Sequence, residues 1–295
     1  LGFFGYTALE QEFRRADGPF GIALVILKTL AGLVLSYYLQ IAIHEGGHLL
    51  FGLSTGYRFC SFRIGSLILV RKNRRFHLRR YQVPGTAGQC LLDPPDWKGG
   101  KVPYMLYHLG GVILNVVSVL IFWKLSLVSK GKNTFLSALM MVNALAAAAL
   151  ALLNGIPMDG ALLNNDGSNT LYFSRHPKSL RPYWLIMKVN AAQCGENRLR
   201  DMPDEWFDQT LWENSGDHFG AMMAYTCFCR MIDELDFEEA ERLGKKLLKD
   251  DTLLPGLLRY SITSDLLYLE LVGENRPEAV EKYRTKDFLK FAKST

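Results

Sequence analysis

Three stretches of this chain run apolar for twenty or more residues with almost no charge. The first extends from about Pro19 to about Leu53, and Lys28 is the only charge in its first two dozen residues. The second runs from about Tyr104 to Leu127 and the third from about Thr134 to Leu153. A bilayer core takes ~20 helical residues at ~1.5 Å each, so every one of these is long enough to span. The third is rich in alanine between Asn143 and Leu152, which lets helices approach closely in lipid. Three such runs argue against the buried helices of a water-soluble core.

Elsewhere the pattern changes. From Phe59 to Val70 and from Arg75 to Leu92, β-branched, aromatic and basic residues alternate between breakers such as Pro84, Gly85 and Gly88, which predicts short strands or a hairpin sheet. From about Ser174 the chain is soluble in character, and helical after Asp201. Two similar pieces follow, around Glu239-Ala240 and Glu278-Ala279, 39 residues apart. Each comes after an aromatic-rich helical stretch, Met222–Leu235 and Leu257–Leu271, in the manner of tetratricopeptide (TPR) repeats. An ordinary helical bundle is the alternative. The expected fold is mainly α: a polytopic membrane protein with three core transmembrane helices, a membrane-associated β-hairpin region and a C-terminal soluble α-helical, TPR-like domain. The expected divisions are an N-terminal segment (1–19), a membrane-embedded core (20–173), a connecting segment (174–215) and a helical cytosolic domain (216–295).

Composition agrees with a membrane part joined to a soluble part. The chain is 49% apolar, with a mean hydropathy of +0.05. The net charge of +5 is unevenly placed. Arg71, Lys72, Arg74, Arg75, Arg79 and Arg80 lie between the first two spans, whereas the loop after the second carries only Lys130 and Lys132. The positive-inside rule therefore puts the first loop and the C-terminal region in the cytoplasm, and makes the chain a multi-pass protein of the cell membrane. The arginine cluster is read as a contact with lipid headgroups rather than with nucleic acid. Five scattered cysteines form no CxxC pair and suggest a reducing compartment. No complete signal peptide is visible from Leu1 onward.

The first span carries the chemistry. His44 and His48 stand four apart, so a helix stacks both imidazoles on one face, where they can share one zinc ion. Glu45, beside the first histidine, is placed to take a proton from water at that metal and pass it on. Gly46 and Gly47 leave room above the metal for backbone or substrate. An HExxH pattern alone is only moderately specific. Here three ionisable side chains lie in an apolar segment, where such groups are costly and usually functional. A catalytic zinc site has three protein ligands and one open position. The third is expected just past the third span, where Pro157 ends the helix and two Asp-Gly pairs follow; either Asp159 or Asp166 can supply it. His77, His108, His176 and His218 receive no role.

These residues resemble the site-2 protease family of intramembrane metalloproteases. His44-Glu45-Gly46-Gly47-His48 matches that family's first motif. Asn154 and Pro157 followed by Asp-Gly match its second, and Gly110-Gly111 with Asn115 resembles the start of its intervening helix. The resemblance covers residues 20 to 170 or so. The spacing from Asn154 to either aspartate departs from the family's commoner pattern. Asn165-Asp166-Gly167 fits instead a bacterial branch with a cytosolic helical tail, which selects Asp166; Asp159 also has little chain in which to turn back after Pro157. The resemblance implies Asn154 as a holder of substrate backbone or reacting carbonyl. It also implies that the stretch from Gly85 to Leu92, with Gly88, offers a strand edge to an extended substrate.

The expected activity is hydrolysis of peptide bonds in membrane-anchored proteins or peptides by zinc-activated water. The expected set is Glu45 as general base, His44, His48 and Asp166 as zinc ligands, and Asn154 and Gly88 at the substrate, near the cytoplasmic side. The lipid bilayer and a protein bound by the helical tail are the other expected partners; nucleic acid is not. A membrane-anchored interaction scaffold with weak or no proteolysis is the alternative. The intact Glu45 argues against it, because binding zinc does not require that carboxylate. A soluble zinc protease is a third reading.

Overall fold

The computed structural model describes residues 10–83, 86–158, 164–210, 215–249, 254 and 256–294. It is mainly helical, with three helices long and apolar enough to cross a membrane and one small antiparallel sheet. The chain divides into two units, Leu1–Pro95 with Pro103–Tyr172, and Asp96–Val102 with Phe173–Thr295.

In the first unit, α1 (Gly18–Ser54) follows an extended Asp17 and has Pro19 in its first turn, where a missing N–H costs nothing. Its 37 residues span roughly 55 Å. The sheet comes next: β1 (Arg58–Ile64), β2 (Leu67–Lys72), β3 (Arg75–Arg80) and β4 (Gly88–Asp93), in the order β3-β2-β1-β4, all antiparallel. Asn73 and Arg74 both take positive φ in the two-residue turn between β2 and β3, as a twisted hairpin requires. β1 carries an irregularity between Phe59 and Ser61 where it meets β4. Then come α2 (Tyr104–Ser129) and α3 (Thr134–Gly155). Asn133 caps α3 by accepting from the Leu136 amide at 2.9 Å.

The three long helices are polar inside and apolar outside. Ser36, Gln40, Asn115, Ser118 and Asn143 are buried, while Leu27, Val34, Leu35, Leu120, Ile121 and Leu152 are exposed. A water-soluble bundle distributes these residue types the other way. The sheet is seated on α1 and α2. Leu92 of β4 is fully buried against Gly52, the Tyr107 hydroxyl donates to the Cys90 carbonyl at 2.9 Å, and the Tyr57 and Tyr107 rings stack at 4.9 Å.

The chain passes into the second unit within α4 (Asp166–Arg175). That unit holds α5 (Leu180–Cys194), α6 (His218–Asp233), α7 (Phe237–Lys249), α8 (Gly256–Val272), α9 (Pro277–Tyr283) and α10 (Lys286–Ser294). Its Asp96–Val102 strand of chain is held by Trp97, with the Arg181 guanidinium 4.9 Å from that ring and 4.7 Å from Trp184. Ala240, Leu243, Gly244 and Leu247 bury one face of α7 at helical spacing, and successive helices α6 to α9 pack on one another. The Asn275–Pro277 link is clamped by Arg276, whose side chain and main-chain N–H both donate to Glu270.

Candidate metal centre

Three donor atoms from two distant parts of the chain converge in the first unit. His44 Nε2 and His48 Nε2 lie 3.2 Å apart, and Asp166 Oδ2 is 3.2 Å from the first and 3.5 Å from the second. Both histidines are buried on α1, and Asp166 is the first residue of α4.

The hydrogen bonds behind the rings decide which nitrogen carries the proton. His48 Nδ1 lies 2.8 Å from the Tyr107 carbonyl oxygen, which can only accept. His44 Nδ1 lies 2.7 Å from Asn115 Oδ1, also an acceptor. Each neutral ring therefore donates from Nδ1 and turns an Nε2 lone pair toward the other ring and the carboxylate. Asp166 Oδ2 is buried with no hydrogen-bond partner, although both Nε2 atoms are within 3.5 Å. Two lone pairs and one carboxylate oxygen at such distances repel unless a positive charge, a metal ion or a further proton on one ring, stands among them.

A small divalent ion fits that demand. Zinc binds histidine nitrogen and carboxylate oxygen at ~2.0–2.2 Å, and a tetrahedron with such bonds has edges of about 3.3–3.6 Å. The observed separations of 3.2, 3.2 and 3.5 Å are close to those edges. His44, His48 and Asp166 are the cluster of potential metal donors among the described residues.

Close backbone approach makes the geometry possible. A Cβ on Gly47 would lie 2.2 Å from the Gly110 carbonyl oxygen, and one on Gly110 would lie 2.5 Å from that of Gly47. The helices α1 and α2 thus touch beside the two histidines. A Cβ on Gly111 would strike the His44 ring at 2.6 Å, so that residue is small where the imidazole lies. The space at Gly47 is filled by the α2 main chain, the backbone alternative of the expectation for that glycine. Of the two glycines between Glu45 and His48, Gly46 is the one that faces open space.

Asp166 is brought in by its neighbours. The Asn165 amide donates to the carbonyls of Leu153 at 2.7 Å and Ile156 at 2.6 Å, tying the start of α4 to the end of α3. Its Oδ1 accepts from the Ser168 amide at 2.8 Å and so caps α4. The Ser168 hydroxyl donates to the Met158 carbonyl at 2.8 Å. Gly167 packs on the end of α3, where a Cβ would be 2.2 Å from the Gly155 carbonyl oxygen. The rival Asp159 lies outside the described residues.

Glu45 is buried beside the first histidine, and its carboxyl lies against the start of β4: a Cβ on Gly88 would be 2.5 Å from Glu45 Oε1. Gly88 is thus brought to the site. Asn154 stands one residue before the end of α3, half-buried, with its amide donating to the Leu150 carbonyl at 3.0 Å. In this arrangement its NH2 group serves its own helix rather than the cavity around the histidines. Cys90, also on β4, is buried, and that burial pushes its thiol well above the ordinary range.

Two participants escape a reading of motifs, and a third, Asn115, is marked there only by resemblance. His108 is buried on α2 with Nδ1 4.0 Å from Asp166 Oδ1; its sequence signal is its place three residues before Gly111, on the same helix face. Asn115 orients His44, and the Tyr107 main chain orients His48. A carbonyl leaves no signature in a sequence.

Comparison with protein-family models, with curated proteins and with solved structures finds no match to this chain.

Proposed function

We propose that this chain is a polytopic intramembrane zinc metalloprotease of the site-2 type, hydrolysing peptide bonds in membrane-anchored proteins or peptides. The observation that carries the reading is the convergence of two Nε2 lone pairs and a carboxylate oxygen without a hydrogen-bond partner beside Glu45, among helices apolar enough to span a bilayer.

In this reading His44, His48 and Asp166 hold the zinc. When bound, zinc lowers the pKa of water towards ~7 and polarises a carbonyl oxygen. Glu45 accepts the proton that the attacking water gives up and delivers it to the amine nitrogen as the C–N bond breaks. Substrate joins the edge of β4 as an extended strand, which brings a main-chain carbonyl to Glu45 through the narrow approach left by Gly88. A helical substrate has to unwind first, because its amides are already hydrogen-bonded. Asn154 serves substrate only if its amide leaves Leu150. The six cations from Arg71 to Arg80 favour the cytoplasmic side for the sheet, and with it the site and the helical unit. The paired helices α6/α7 and α8/α9 suit a TPR-like module that binds a protein partner.

The test is Glu45→Gln in the full chain purified in detergent. Bound zinc is expected to stay at one ion per chain while peptide hydrolysis falls by at least ~10²-fold, the low end of what general acid–base catalysis contributes. Unchanged hydrolysis, or unchanged effects of the variant in cells, overturns the protease reading. In the second case the scaffold reading takes its place.

A further inference from the structure

Behind His44 a chain of buried amides crosses all three long helices. Asn115 Nδ2 lies 3.4 Å from the main-chain oxygen of Gln40 and 3.5 Å from its Oε1. Gln40 Oε1 also accepts from the Ser118 hydroxyl at 3.0 Å, and Gln40 Nε2 donates to Asn143 Oδ1 at 3.3 Å. Asn143 Nδ2 in turn donates to Ser36 Oγ at 2.8 Å and to the Leu139 carbonyl at 3.0 Å. Gln40 and Asn115 are 0% exposed; Ser36, Ser118 and Asn143 are at most 3%.

The direction of this chain is determined. A main-chain carbonyl only accepts, so the Leu139 oxygen fixes which end of Asn143 carries NH2, and the Gln40 oxygen does the same for Asn115. Asn143 Oδ1 must then face Gln40 Nε2, Gln40 Oε1 must face Ser118 and Asn115, and Asn115 Oδ1 must face His44. The last step protonates His44 at Nδ1 and bares Nε2.

Resting on the metal reading above, we infer that Gln40 is a positioning residue that acts through Asn115 to set the tautomer and orientation of His44. Ser36 and Gln40 come from α1, Asn115 and Ser118 from α2, and Asn143 from α3. The metal-ready form of His44 therefore depends on all three helices being assembled. Polar contacts between membrane helices also act simply as glue. The difference lies in what each residue does to the metal.

The experiment measures zinc affinity by competition with a chromophoric chelator, on the full chain in detergent, with the Co2+ absorption spectrum as a second readout. Three variants are compared: Asn115→Leu, Gln40→Leu and Ser126→Ala. Ser126 bonds α2 to α3 through Ser137 away from the site, and so reports a purely packing effect. Asn115→Leu should weaken zinc by ~10–100-fold, as loss of a partner behind a ligand histidine does elsewhere. Gln40→Leu should weaken it by roughly 10-fold and shift the Co2+ bands. Ser126→Ala should equal the parent. If the parent binds no zinc, the metal reading falls and this inference with it. If the parent binds zinc and both leucine variants match it, the inference alone is overturned. It is also overturned if Gln40→Leu alone matches the parent, or if Ser126→Ala weakens zinc as much as Gln40→Leu.

Discussion

Glu45 and Gly88 meet so closely that each limits what the other can be. A methyl group at residue 88 would lie 2.5 Å from Glu45 Oε1, 2.7 Å from its Cγ and 2.8 Å from Ile41 Cγ2. All three contacts are shorter than carbon and oxygen tolerate, so the carboxylate has to move. Gly88→Ala is therefore expected to lower peptide hydrolysis by about 10²-fold, the cost of misplacing a reacting group by ~1 Å, while bound zinc stays at the parental level. Zinc content and hydrolysis measured on one preparation check this; a variant as active as the parent would mean that Glu45 does not work from its present position.

At the scale of elements, the decisive contact is the crossing of α1 and α2 at Gly47 and Gly110. Main chain touches main chain there, so His44 can rest on Gly111 and His48 can donate to the Tyr107 carbonyl. The two glycines of the HExxH segment should behave in opposite ways. Gly47→Ala drives a methyl group into the Gly110 carbonyl, and overpacking of that kind costs about 1–3 kcal/mol. It should lower the thermal unfolding midpoint in detergent and weaken zinc. Gly46→Ala meets nothing within 4 Å and should hold or slightly raise the midpoint, because alanine favours a helix by up to ~1 kcal/mol over glycine. Equal midpoints for the two variants would contradict this crossing. A second element junction, between α8 and α9, depends on charge. Hydrogen bonds from the Arg276 side chain and main chain hold the Glu270 carboxyl at about 2, against an ordinary value of 4.5. A carboxyl held low in the folded state adds stability above its ordinary value and loses it as pH falls. The contribution should thus be full above about 4.5 and fade toward about 2. Glu270→Gln should unfold at a lower temperature than the parent at neutral pH and converge with it in acid; a constant gap across that range would refute the linkage.

The whole molecule joins an inside-out unit to an ordinary one. In the first, amides and hydroxyls line the interior while leucine and valine face outward; in the second, α7 buries its apolar face against α6 and α8. An outward apolar surface on three long helices calls for lipid. The full chain is accordingly expected to sediment with membranes, resist alkaline carbonate and need detergent for extraction. Release into aqueous buffer would remove the membrane reading and favour a soluble zinc protease.

Some of this was legible in the residues alone. The three apolar runs foretold helices beginning and ending within two residues of those observed, because hydrophobic length is a local property. The pairing of His44 with His48 was equally local, since a four-residue step on one helix has only one geometry. The route to the third donor was different. Asp166 follows His48 by more than a hundred residues, and it arrives only because Asn165 ties α4 to the end of α3 and Gly167 lets the two backbones touch. His108 and the Tyr107 carbonyl belong to no motif, and the motif that contains Asn115 does not say that it meets His44; the packing of α2 on α1 delivers all three. Sequence by itself determined the three long apolar helices and which of them carries the two imidazoles. Tertiary structure alone decided how near Asp166 comes to them and which nitrogen of each ring is left bare, because donors and acceptors are assigned through space by neighbours that the chain places far apart.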